Sequence, residues 1–235
     1  MNIVAMRERI DVALQHEADH GTLAASLTGR VEGLHRAIRL PDADAPGALL
    51  RFVRAYVDEL PALMEAAASV ATEAGIDAQI KRLLRLAEAF LLSPPQLLEG
   101  HEGLEALLAE AYLAHRLVEE VNDRYIAHFG QPLIPLDTTV ANLVAHQLLG
   151  ESFANQLDAA VQLACGTLLE ARIFAAESAS RYREELANPL RLAAWRHWPC
   201  LSRQLGIELQ LAAAPVAAVE PQLVVPVRRR SANAG

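Results

Sequence analysis

The chain has 235 residues, of which 52% are hydrophobic and only 5% aromatic, so it is long enough to bury a substantial core. The formal net charge of −8 excludes the overall basic field that nucleic-acid binding requires. Two cysteines, Cys165 and Cys200, are too few for a disulfide framework. There is no signal-peptide pattern and no stretch of about 20 apolar residues, so the sequence predicts a cytoplasmic protein with no membrane contact.

Leucine and alanine, two strong helix formers, dominate the composition and predict an all-α protein. In the first part of the chain, helical periodicity predicts three helices, over residues 3–20, 48–75 and 77–92. The first helix either ends at Gly21 or continues to Leu40. Pro61 should kink or divide the second helix, and the prolines that follow the third should end it.

The second half of the chain is expected to be helical as far as about residue 198. The predicted helices cover residues 104–129, 137–186 and 188–198, with a break near Gly150 inside the second of them. Alternating polar and apolar residues at 206–211 predict one short strand. The sequence therefore predicts a multi-helix bundle of about six to eight helices at 1–213, with a seam near 93–101, followed by an extended or disordered tail at 214–235.

The first predicted helix carries the pentapeptide HEADH, His16 to His20, which matches the H-E-x-x-H zinc signature of metalloproteases. In that signature two histidines bind zinc, the glutamate activates a water, and a third protein ligand comes from downstream. The extended signature needs glycine and a third histidine at later positions, and these places hold Leu23 and Ser26. No sheet precedes the motif to hold a peptide. We therefore predict no protease. On a continuous helix both histidines would align with the apolar stripe that begins at Leu23, and would face the interior.

Two E-x-x-H fragments, Glu17/His20 and Glu32/His35, give a second metal hypothesis, because helical bundles hold metal ions between such carboxylates and histidines. A spacing of three residues places both side chains of a pair on one side of a helix. In di-iron bundles, however, the fragments lie on different helices. An iron or zinc site formed by His16, Glu17, His20 and His35 therefore requires the chain to reverse sharply between the two fragments.

The fourth predicted helix is the most informative one, because three polar side chains fall inside its apolar stripe: His115, Glu119 and Asn122. Charged neighbours such as Arg116 fall outside it. Burying these groups without partners costs several kcal/mol, so they should bond to one another or to another helix. Glu151, on the apolar face of the following helical stretch, is a candidate partner. The pattern predicts either a buried polar network that fixes helix register or a ligand or metal pocket.

No complete catalytic constellation can be assembled from this sequence. Phosphate-binding glycine loops and a G-x-S-x-G elbow are absent, and Cys165 lies in a Leu/Ala-rich helix that favours a buried thiol. The two tryptophans at 195–199 are interpreted as a core anchor.

The sequence therefore favours a non-catalytic helical protein, without cofactor, that associates with a protein partner or with itself as a regulator, adaptor or assembly factor. Its source is predicted to be bacterial, because only one of its 21 basic residues is lysine and alanine is in excess. The alternatives are an iron- or zinc-binding bundle, and a small-molecule binder or enzyme with its pocket at the His115 face.

Overall fold

The computed structural model describes residues 1–73, 77–130, 132, 138–169 and 207–209. Within these ranges the fold is an all-α helical bundle, as predicted. The helices are α1 Ile3–His20, α2 Thr22–Arg30, α3 Ala45–Asp58, α4 Leu60–Glu73, α5 Asp77–Leu92, α6 Gly103–Phe129, α7 Thr139–Leu149 and α8 Glu151–Leu168. Two short strands, β1 Ile38–Arg39 and β2 Glu208–Leu209, pair in antiparallel register, and β2 lies within the predicted strand segment.

Proline and glycine set most of the helix boundaries, as their backbone chemistry predicts. The second predicted helix is divided between α3 and α4, with Pro61 in the first turn of α4, where proline is tolerated. Gly130 ends α6 in the left-handed conformation, with φ of 76°. Gly150, with φ of 87°, separates α7 from α8. The predicted N-cap Asp137 lies outside the described residues.

The chain breaks at Gly21, so the continuous first helix to Leu40 is the wrong alternative. Gly21 adopts a left-handed conformation with φ of 64° and ends α1. A separate helix, α2, begins at Thr22 and ends at Arg30, and the chain then reaches the short strand β1. Because the two helices are separate, the apolar stripe does not continue from His16 and His20, and both histidines are exposed.

Helix α6 is the centre of the bundle. It packs against α1, α3, α4, α5, α7 and α8, and nearly every residue from Leu104 to Val118 is buried. The predicted apolar stripe therefore covers too few residues of this helix. Because neighbouring helices enclose α6, residues outside the stripe are buried as well. No helix in the described ranges is long and apolar enough to span a bilayer.

Several predicted elements lie outside the described residues. Within them α8 ends at Leu168, and the helices predicted beyond residue 169, the tryptophan pair and the tail at 214–235 are not covered. The segment at 93–101, where a seam was predicted, contains a short 3-10 turn at Gln96–Leu98. The division into domains stays a prediction.

Candidate functional site

His115 lies in the core, on the buried middle of α6. It is 1% exposed, and its ring stacks on that of Tyr56 with the centroids 4.1 Å apart. Its Nε2 is 2.9 Å from the Tyr56 carbonyl oxygen, so Nε2–H donates, and the buried Nδ1 has no partner within the described ranges. Burial lowers the pKa of His115 to about 4, against a smaller opposing effect of the Tyr56 carbonyl. The imidazole is therefore neutral at physiological pH.

Glu119 belongs to a chain of hydrogen bonds that begins at Tyr56. The Tyr56 hydroxyl donates to Asn142 Oδ1 at 2.7 Å, and Asn142 Nδ2 donates to Glu119 Oε2. Glu119 also accepts from Arg116 Nη1. A buried amide whose donor and acceptor are both used fixes the positions of α3, α6 and α7 relative to one another.

Arg116 continues this network to α8, through Asp158. Its Nε donates to Asp158 Oδ1 at 2.9 Å, and the Tyr112 hydroxyl donates to the same oxygen at 2.9 Å. Although burial lowers the pKa of Arg116, the hydrogen bond to Asp158 and the charge of Glu119 raise it above its ordinary value. The guanidinium is thus a fixed positive charge between two carboxylates, and not on the outer face that the helix projection predicts.

These side chains line a cavity of about 380 Å³ between α6, α7 and α8, called here the Arg116 cavity. His146 contributes its imidazole, with Nε2 3.2 Å from Asn155 Oδ1 and 3.8 Å from Asp158 Oδ2. The described residues of its lining are Tyr112, Arg116, Glu119, Thr139, Asn142, Leu143, His146, Gln147 and Asp158. Leu143 is the one residue of this lining with an aliphatic side chain.

The predicted polar trio is only partly brought together here. Glu119 lines the Arg116 cavity, His115 lies behind it in the core, and Asn122 is buried on α6 but is not part of the lining. Glu151 is exposed at the first residue of α8, and the carboxylate that reaches the network from this helix is Asp158, two turns later. Sequence reasoning missed Tyr56, Asn142 and Asp158, because each lies on a different helix from the residues that it binds.

The glutamate of HEADH is a helix cap. Glu17 is 2% exposed. Its Oε2 accepts from the Leu23 N–H at 2.9 Å and the Thr22 hydroxyl at 3.1 Å, and its Oε1 accepts from the Ala24 N–H at 2.9 Å. Burial raises its pKa, but these hydrogen bonds outweigh burial and lower the pKa below its ordinary value. Both oxygens are thus engaged with the N-terminus of α2, where helical N–H groups need acceptors.

The histidines and the second E-x-x-H fragment do not join Glu17 in a metal site. His16 and His20 stack on each other, with ring centroids 4.3 Å apart, and His20 Nδ1 is 2.9 Å from the His16 carbonyl oxygen. His35 is exposed, and its Nδ1 accepts from the Ala37 N–H. Across the ranges that the structure covers, no group of three or more His, Cys, Asp or Glu residues could hold a metal ion.

Replacing Glu17 by glutamine should lower the free energy of unfolding by about 1–2 kcal/mol, the range for loss of a helix cap. The amide has only one acceptor oxygen, so its NH₂ group would face a backbone N–H that Glu17 now accepts from. His16→Ala and His20→Ala are the matched controls, because these side chains are exposed, and they should be nearly neutral in urea unfolding. A larger loss in the histidine variants than in Glu17→Gln would contradict the capping role.

A second buried carboxylate, Glu110, escaped the sequence reasoning. It lies on α6 and lines a separate cavity with Arg9, His16 and His101. One signal pointed to it, since Glu110 is the only charged residue between Glu105 and His115, in a run of leucine, alanine and tyrosine. Such a run indicates a helix buried all round.

Comparison of the chain with protein-family models, with curated proteins and with solved structures finds no match.

Proposed function

We propose that this protein binds a small hydroxyl- or amino-rich molecule in the Arg116 cavity. The observation that carries the proposal is that polar side chains of three helices line one cavity and are held in place by hydrogen bonds to one another. A ligand meeting groups that are already ordered loses less conformational entropy on binding than one that must order them. The volume of about 380 Å³ lies within the range of small-molecule sites.

The charges of the lining support a neutral or cationic ligand. Glu119 and Asp158 are carboxylates, and Arg116 is the one guanidinium, so the lining has one excess negative charge when His146 is neutral. A ligand anion would be repelled by both carboxylates. Hydroxyl and amino groups of a ligand can instead form hydrogen bonds with Tyr112 and His146. They can also bond to the amides of Asn142 and Gln147.

The other hypotheses from the sequence stay predictions. Association with a protein partner or a second copy rests on composition. Metal binding rests on the two E-x-x-H fragments, and among the described residues these do not form a ligand cluster.

The experiment is a thermal-shift and calorimetry screen of the full chain with polyols, amino sugars and amino acids. At least one member should bind saturably and shift the His146 ring resonances in NMR spectra. Leu143→Trp should close the rim of the cavity and weaken binding at least about tenfold. Leu163→Trp, an exposed leucine of α8 that is 76% accessible, is the matched control. Absence of any binding, or equal binding to both tryptophan variants, would contradict the proposal.

A further inference from the structure

Glu110 is a buried carboxylate that the protein itself satisfies only in part. It lies in the N-terminal third of α6, and its side chain is 2% exposed. Oε1 accepts from Arg9 Nη2 at 2.6 Å, whereas Oε2 has no hydrogen-bond partner among the described residues. Arg9 is 37% exposed, so the pair is asymmetric: the guanidinium is exposed and the carboxylate is buried.

An unpaired carboxylate oxygen in the core is costly, because burial removes its hydration and nothing in the described structure replaces it. Burial raises the pKa of Glu110 to about 7, and Arg9 offsets only part of that effect. A buried polar group without a partner in a native structure indicates a functional role or a bound water or ion.

Glu110 lines a cavity of about 420 Å³ between α1, α6 and the segment that precedes α6, called here the Glu110 cavity. One wall is apolar, formed by Val12, Ala13, Pro94, Leu98, Ala106 and Leu107. The other groups of the lining are Arg9, His16, His101, Glu102 and Gly103. Gly103 has φ of 58°, and a Cβ there would lie 3.3 Å from His16 Nδ1, so glycine allows the close approach of this histidine.

The lining charges favour a cation. Glu102 and Glu110 are carboxylates and Arg9 is the one guanidinium, which leaves one excess negative charge when both histidines are neutral. Although two histidines and a buried glutamate line this cavity, they do not form a metal cluster within the described part of the chain. The ligand chemistry that remains is an organic cation with an apolar body for the apolar wall.

We propose that the Glu110 cavity binds a small organic cation, whose ammonium group donates a hydrogen bond to Glu110 Oε2 and whose apolar body packs against Val12, Leu98 and Leu107. This site is separate from the Arg116 cavity, and its apolar wall favours a ligand with an apolar body over a hydroxyl-rich one. In this arrangement His16 of the HEADH pentapeptide forms part of the cavity wall and is not a metal ligand.

Three probes of one shape test the proposal: 2-phenylethylammonium, the uncharged 2-phenylethanol and the anionic 3-phenylpropanoate. In calorimetric titrations of the full chain at pH 8, the ammonium should bind at least about tenfold more tightly than the alcohol, because its hydrogen bond to the carboxylate is charge-assisted. The anion should bind more weakly than the alcohol. Equal affinities, or no saturable binding of the ammonium, would overturn the proposal.

Matched variants locate the binding site. Glu110→Gln should reduce the preference for ammonium over alcohol by about tenfold, while affinity for the alcohol changes little. Val12→Trp should close the cavity and weaken both probes, and Val4→Trp is its control on the same helix. Val4 and Val12 are 67% and 70% exposed, so neither substitution enters the core. Should Glu110→Gln fail to fold, the valine pair still decides, because equal effects of Val4→Trp and Val12→Trp would overturn the proposal.

The two cavities are distinguished by crossing the variants and the probes. Leu143→Trp should leave binding of 2-phenylethylammonium unchanged, and Val12→Trp should leave binding at the Arg116 cavity unchanged. Loss of ammonium binding in Leu143→Trp would assign the cation to the Arg116 cavity and overturn the inference about Glu110.

Discussion

Between pH 7 and pH 4, the free energy of unfolding should fall by about 3 kcal/mol less in the His115→Gln variant than in the native chain. The pKa of His115 is about 4 in the fold against an ordinary value of 6.5. Between these values the unfolded chain binds a proton that the folded protein does not bind. The contribution of His115 is therefore fully retained above pH 6.5 and is lost as the pH falls toward 4.

Glutamine is the informative replacement because its Nε2 can still donate to the Tyr56 carbonyl but does not titrate. Urea unfolding at pH 7, 6, 5 and 4 measures the effect, as the difference in free energy between the variant and the native chain. His128→Gln, at an exposed position near the end of the same helix, is the matched control. An equal change of slope in the two variants would contradict the burial of a neutral imidazole at position 115.

Replacing Glu110 by glutamine should have the opposite dependence on pH. The pKa of Glu110 is about 7 in the fold against an ordinary 4.5, so between these values the folded protein holds a proton that the unfolded chain has released. Its stabilising contribution is present below pH 4.5 and is lost as the pH rises through 7. Relative to the native chain, the Glu110→Gln variant should therefore gain about 3 kcal/mol between pH 4.5 and pH 8.

The same urea titrations, extended to pH 8, measure this gain. A difference between pH values is used because glutamine also adds an NH₂ group to the core, and that constant cost cancels. Glu65→Gln removes one exposed carboxylate from α4 and is the matched control. A difference that stays constant from pH 4.5 to pH 8 would contradict the raised pKa.

His115 and Glu110 oppose each other between pH 4.5 and 6.5. As the pH falls through this range, His115 destabilises the fold and Glu110 stabilises it by a similar amount. The two groups together should therefore contribute little slope in the native chain, and each single variant should reveal the slope of the remaining group.

Much of the helical framework could be predicted because its signals are local. Helix α5 begins and ends at the predicted residues, Asp77 and Leu92, and α6 ends at the predicted Phe129, with Gly130 as its C-terminal cap. Helix propensity, proline geometry and the left-handed preference of glycine act within a few residues of one another. The same locality explains why Gly21 left two alternatives open, since glycine is tolerated inside a helix as well as after its end.

The candidate sites could be predicted only in part. That His115 is buried with a polar partner follows from its place in an apolar stripe, but the partner is a backbone carbonyl of α3, 59 residues earlier. The bond from Arg116 to Asp158 spans 42 residues and the pair of Arg9 with Glu110 spans 101. The hydrophobic periodicity of one helix shows which side chains share a face, but it does not predict which residue of another helix they contact.

The bounds of α5 and α6, to within one residue, and the burial of His115 could be predicted from the sequence, because they depend on residues nearby along the chain. The roles of the polar groups depend instead on contacts between helices. Six other helices enclose α6, so Glu110 is buried and Arg116 is partly buried, although the helix projection places Arg116 outside the apolar stripe. The turn at Gly21 then directed Glu17 to the start of α2 and left His16 at the wall of a cavity, because the position of one helix against another fixes which side chains meet.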